Sequence, residues 1–79
     1  MPRTDTEAER ERAEIALRIV ADIARLSDLS AQDPSARIRC TPAVRSAAED
    51  LHTLVDQAAL RTGDEELAAM LARAPRPEG

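Results

Sequence analysis

Between Thr41 and Gly63 the apolar residues recur at helical spacing. At about 100° per residue, Ala43, Val44, Ala47, Ala48, Leu51, Leu54, Val55, Ala58 and Ala59 fall in one arc of roughly 160°, and Arg45, Glu49, Asp50, Asp56 and Gln57 fall outside it. Thr41 is a good helix N-cap, Pro42 has a φ preset for the first helical position, and Gly63 suits the left-handed residue that closes a helix. The pattern predicts a helix over about 42–61 with one dry face and one wet face.

The segment before it predicts a longer helix, about 5–29. Thr4 with Glu7 and Thr6 with Glu9 both fit a capping box, so the start is open between them. Glu14, Arg18 and Asp22 form an i,i+4 polar ladder. The apolar surface sweeps roughly 200°, wider than the stripe of somewhat over 100° that one neighbour needs. One reading wedges this helix between two helices of its own chain. The other gives Ile15, Ile19, Ile23 and Leu26 one partner and Ala13, Leu17, Val20 and Ala24 a different one. With only one other long helix available, the second reading is preferred, and Ala13, Leu17, Val20 and Ala24 are assigned to self-association in a homodimer.

Residues 30–41 read as a connecting loop, with a turn around Ser30, Asp33-Pro34 and Ser35. Ala36 to Thr41 then alternates, Ile38 and Cys40 on one side and Arg37, Arg39 and Thr41 on the other. Such a run is compatible with a short strand. The preferred reading is an extended lead-in to the cap, with Ile38 and Cys40 tucked onto the bundle. A short third helix is expected over 64–74. Thr62 to Glu65 matches a capping box, and Asp64, Glu65 and Glu66 complement the positive end of the helix dipole. Leu67, Met70, Leu71 and Ala74 line one face up to Pro75, and residues 75–79 read as a disordered tail.

Composition narrows this to a single small domain over residues 1–79. A chain of this size buries only about 60% of its unfolded surface. It has no aromatic residue, and its large aliphatics are eight Leu, four Ile and three Val. A monomer built from these is marginal, which again favours a partner or a second copy. The net charge of −4 argues against a generally basic nucleic-acid or membrane-surface protein. All eleven basic residues are Arg, a bias expected of a high-GC bacterial genome. Cys40 stands alone, no apolar run approaches a membrane span, and the N-terminal dozen residues lack the apolar core of a signal peptide. The expectation is an acidic cytoplasmic protein with no membrane partner.

Candidate chemistry is sparse. His52 has only Asp56 at a chelating i,i+4 spacing, too little for a metal site or a base–acid pair. Cys40 as a nucleophile needs a base and an orienting group, and neither can be named; a small buried hydrophobe is its expected role. The acidic clusters Glu7/Glu9/Glu11 and Asp64/Glu65/Glu66 sit at helix starts without calcium-loop spacing. Gly63 and Gly79 are the only glycines, so there is no phosphate-cradling loop. No catalytic residue, metal ligand or cofactor is assigned, and the chain is not expected to be an enzyme.

Two stretches resemble known families. From Arg37 onward, an alternating run, a helix, a glycine turn and a second helix are similar in order to ribbon-helix-helix DNA-binding proteins, which include transcription regulators and antitoxins. That resemblance implies paired strands in a major groove, with Arg37, Arg39 and Thr41 facing the bases and Ile38 and Cys40 facing inward. The preceding long helix, the long second helix and the acidic charge depart from that family. The C-terminal TGDEELAAMLARA resembles the short helix that ends some modular polyketide synthase subunits and docks onto the next, which implies a third helix presented to a partner.

The expected architecture is all-α, an antiparallel hairpin of two long helices plus a short C-terminal helix, assembled as a homodimeric helical bundle. The expected function is a non-enzymatic protein–protein interaction or regulatory module acting through apolar helix faces, with Leu67, Met70 and Leu71 contacting a protein partner. The alternatives are DNA binding through Arg37, Arg39 and Thr41, and an acidic phage- or plasmid-type inhibitor.

Overall fold

The computed structural model describes residues 4–75. They form three α-helices, α1 (Asp5–Gln32), α2 (Pro42–Thr62) and α3 (Glu65–Arg73), and no strand occurs among the described residues. Most of the predicted tail, residues 76–79, lies outside them.

The helix ends are fixed by side chains. The Thr4 hydroxyl accepts the Glu7 amide at 3.1 Å, which settles the start of α1 on Thr4 and not Thr6. The helix runs past the predicted Leu29 to Gln32, because the Ser30 hydroxyl bonds back to the Leu26 carbonyl at 2.7 Å and so tolerates a helical setting. What stops it is Asp33, which Pro34 forces out of the helical region, at φ −139° and ψ 86°. The Asp33 carboxylate accepts the Ser35 amide and hydroxyl, and a turn closes from the Ala36 amide to the Asp33 carbonyl.

Thr41 caps α2 by accepting the Val44 amide at 3.3 Å, and Gly63 closes it in the left-handed region at φ 66°. The cap of α3 differs from the predicted capping box. Asp64, not Thr62, is its N-cap, accepting the Glu66 amide at 2.9 Å, while Thr62 donates to the Ala58 carbonyl and accepts the Asp64 amide. One hydroxyl therefore spans the α2–α3 junction and starts the turn that Asp64 completes.

The core reassigns the apolar stripes. Ala13, Leu17, Val55 and Leu67 form one buried cluster, packed by Ala16, Ala58, Ala59, Met70, Leu71 and Ala74, and Val20 and Ala48 are fully buried. All three helices touch one another. Ala13, Leu17 and Val20, predicted to bind a second subunit, are thus filled by the chain's own helices, and Ala24 is half-buried. Two neighbours, α2 and the short α3, account for the burial, where the sequence pattern counts only one other long helix. Leu67, predicted to meet a partner, is completely buried, and Met70 and Leu71 pack against the core.

A bidentate ion pair pins α3 to α1. Arg10 Nε donates to Asp64 Oδ2 at 2.9 Å and Arg10 Nη2 to Asp64 Oδ1 at 3.0 Å. This fork holds the Asp64 carboxyl below its ordinary value of 3.8, chiefly through the hydrogen bond from Arg10, against the opposing effect of desolvation, and raises the Arg10 guanidinium by the same bond. A carboxyl whose pKa falls on folding contributes stability that is complete above its unfolded value. That contribution is lost as pH drops below 3.8 and through the lowered value. The difference in denaturant midpoint between the parent chain and Asp64→Asn is therefore expected to be constant near neutrality and to shrink below about pH 4. A difference that stays constant down to about pH 2 refutes the linkage.

Candidate interaction surface

The surface of interest lies on the side of α1 turned away from its buried stripe. Ile15, Ile19 and Leu29 remain 48%, 41% and 44% exposed, and Ile23 and Leu26 are half-buried. On α2, Leu54 is 61% exposed and Leu51 half-buried, so the predicted dry arc of that helix is only partly covered. Arg12 and Ala16 of α1 share a groove of about 350 Å³ with Leu54 and Ala58 of α2. The open row of α1 and the open edge of α2 therefore adjoin one another. An apolar row of this length is unusual on a surface with nothing against it.

Charge around the row is loosely held. Arg12 lies 3.8 Å from Glu9, a pair largely in water, and Asp22 makes no ion pair among the described residues. The predicted ladder of Glu14, Arg18 and Asp22 is not joined by ion pairs among the described residues. Such exposed pairs are worth little, and these side chains stay free to turn toward a charged neighbour. The Ile15, Ile19, Ile23 and Leu26 stripe is legible in the sequence, whose pattern assigns association to the other stripe. Spacing does not separate the two, because Ala13, Leu17, Val20 and Ala24 repeat the same alternation of four and three.

Comparison with known protein families, curated proteins and solved structures finds no match for this chain.

The remaining predicted residues are scattered. Arg37 and Arg39 are exposed, and Thr41 is committed to capping α2. The backbone bends at Arg37 and Ile38, so the alternating run is not straight. Ile38 is 84% exposed, contrary to the expectation that it tucks onto the bundle. Cys40 is half-buried, and its amide donates to the Ser30 hydroxyl at 2.8 Å, which ties the loop to the end of α1. His52 is half-buried on α2. A second depression, about 650 Å³, lies between the starts of α1 and α3, where Arg10 and Asp64 already satisfy each other. Among the described residues no group of three His, Cys, Asp or Glu side chains is placed to hold a metal ion, and no helix is long and apolar enough to cross a membrane.

Proposed function

We propose that this chain is a small non-enzymatic association module that acts by laying the open face of α1 against another polypeptide. The observation that carries this reading is the exposed row of Ile15, Ile19 and Leu29 on a chain that has already buried its other apolar stripe. The shared groove supports an antiparallel α1–α2 hairpin, since the early residues Glu9, Arg12 and Ala16 of α1 meet the late residues Leu54, Ala58 and Arg61 of α2. In that arrangement α2 and α3 act as a brace that keeps α1 straight and its outer row presented. A regulatory role in the cytoplasm fits such a module, which binds and releases without chemistry.

The test is affinity capture from the source cells, with nuclease, of the parent chain and of Ile15→Ser/Ile19→Ser. Both positions are exposed, so the variant is expected to keep the parent's helical circular dichroism. A stoichiometric polypeptide retained by the parent and lost by the variant is the expected result. Equal retention by both chains overturns the assignment of this face. Capture that disappears on nuclease treatment and on Arg37→Ala/Arg39→Ala places function in the loop instead.

A further inference from the structure

The open row of α1 has a symmetry in its sequence. Its positions are Ala8, Arg12, Ile15, Ile19, Asp22, Leu26 and Leu29, spaced alternately four and three apart, the spacing that keeps side chains in one seam of a two-helix coiled coil. Leu17 marks the centre. Ile15 and Ile19 lie two residues either side of it, Arg12 and Asp22 five either side, and Ala8 and Leu26 nine either side. Apolar is balanced by apolar and positive by negative out to Ala8 and Leu26, while Leu29 falls level with Asp5 and lies beyond the matched part of the row.

We infer that a second copy of this chain covers the row, its α1 running antiparallel about a twofold axis level with Leu17. The inference rests on the association reading above and names the occupant. In an isologous contact each pairing occurs twice. Ile15 of each copy then meets Ile19 of the other, which builds an apolar centre of four isoleucines. Arg12 of each meets Asp22 of the other, and two opposite-charge pairs bracket that centre. A parallel pairing instead sets Arg12 against Arg12 and Asp22 against Asp22. Charged residues inside a seam lower stability but fix register and orientation, because every misaligned pairing leaves them facing like charge or apolar surface.

The neighbouring helix agrees with this placement. Leu54 shares its groove with Ala16, one residue from the axis, and Arg12 borders the same groove. A second copy that approaches Arg12 also covers Leu54, the 61% exposed leucine that lines the groove. The size is consistent with a modest dimer. A helix of this length spans ~42 Å, and a strip about 10 Å wide gives ~400 Å² per copy. Two such strips bury ~800 Å² together, short of the roughly 1,000 Å² of a specific interface, so Leu54 and Ile23 are needed at its edge and a dissociation constant of about micromolar is expected.

Sedimentation equilibrium over concentration tests the pairing with three variants: Arg12→Asp, Asp22→Arg, and the two combined in one chain. Each single change sets like charges together twice, and is expected to weaken the dimer by about tenfold or more. The combined change exchanges the signs and is expected to restore the parent's affinity. Both positions are exposed, and circular dichroism checks that each variant keeps its helices. Three variants that all dimerise like the parent overturn the antiparallel register, as does a combined variant no tighter than the singles. A parent chain that is folded yet monomeric at about 100 µM, well above the expected constant, overturns the second copy as occupant. In that event the association reading survives if capture from cells still depends on Ile15 and Ile19, and falls with it if not.

Discussion

Leu17→Arg is expected to leave the chain unfolded. Leu17 is 7% exposed and sits in the cluster with Ala13, Val55 and Leu67. The substitution removes a buried aliphatic side chain, worth about 2–3 kcal/mol, and puts a guanidinium where, among the described residues, no acidic side chain is buried to receive it. An unpaired buried charge costs a further several kcal/mol, about 3–5 by analogy with broken buried pairs. A domain of this size holds on the order of 5–10 kcal/mol in all, so the two effects exhaust its stability. Loss of the helical circular dichroism signal and of any cooperative melt is the expected reading. Ile19→Arg, two residues along and on the open row, is expected to keep both. The contrast is sharp because the sequence pattern alone marks Leu17, with Ala13, Val20 and Ala24, for self-association. A folded, soluble Leu17→Arg chain refutes the core described here.

Leu67→Ala is expected to cost about 2–5 kcal/mol in the unfolding free energy, read from urea denaturation. Leu67 is fully buried and is the one fully buried side chain that α3 contributes. A nine-residue helix is too short to persist alone in water, so α3 is helical only while it is docked. Removing its anchor leaves the Arg10–Asp64 fork, a partly solvated pair that does not replace buried apolar contact. The variant therefore loses part of its helical signal before the main transition, corresponding to α3. Leu60→Ala is the control: Leu60 is 79% exposed, and its truncation is expected to change stability by less than about 0.5 kcal/mol. Equal effects at Leu60 and Leu67 contradict the packing.

The places where the pattern misled share a cause. The spare width of α1 was legible, but periodicity reports angles around a helix and not which arc a neighbour fills. Ala13 and Ala24 leave room for a neighbour where Ile15, Ile19, Ile23 and Leu26 do not, and Ala13, Leu17 and Val20 are the residues that become buried. That preference emerges only when α2 and α3 are both set against α1. Asp64 reads in the sequence as a dipole complement; it is also the cap of α3 and its anchor, the second role hidden because its partner Arg10 lies 54 residues away. Ile38 was expected on the bundle because it is apolar, yet the turn at Asp33 to Ala36 sends the loop along a path that leaves it in water.

The three helices were legible in the sequence, as were the start and end of α2, since Thr41, Pro42 and Gly63 act on backbone groups within a few residues of themselves, whereas the start of α1 stayed open between Thr4 and Thr6. The sequence also determined that α1 has more apolar surface than one neighbour covers. Only the tertiary structure decided which stripe is core and which is open, which residues anchor α3, and that the open row adjoins Leu54. Those are relations between residues far apart in the chain, set by how side chains of particular volume fill the space between helices, and local spacing carries no record of that distance.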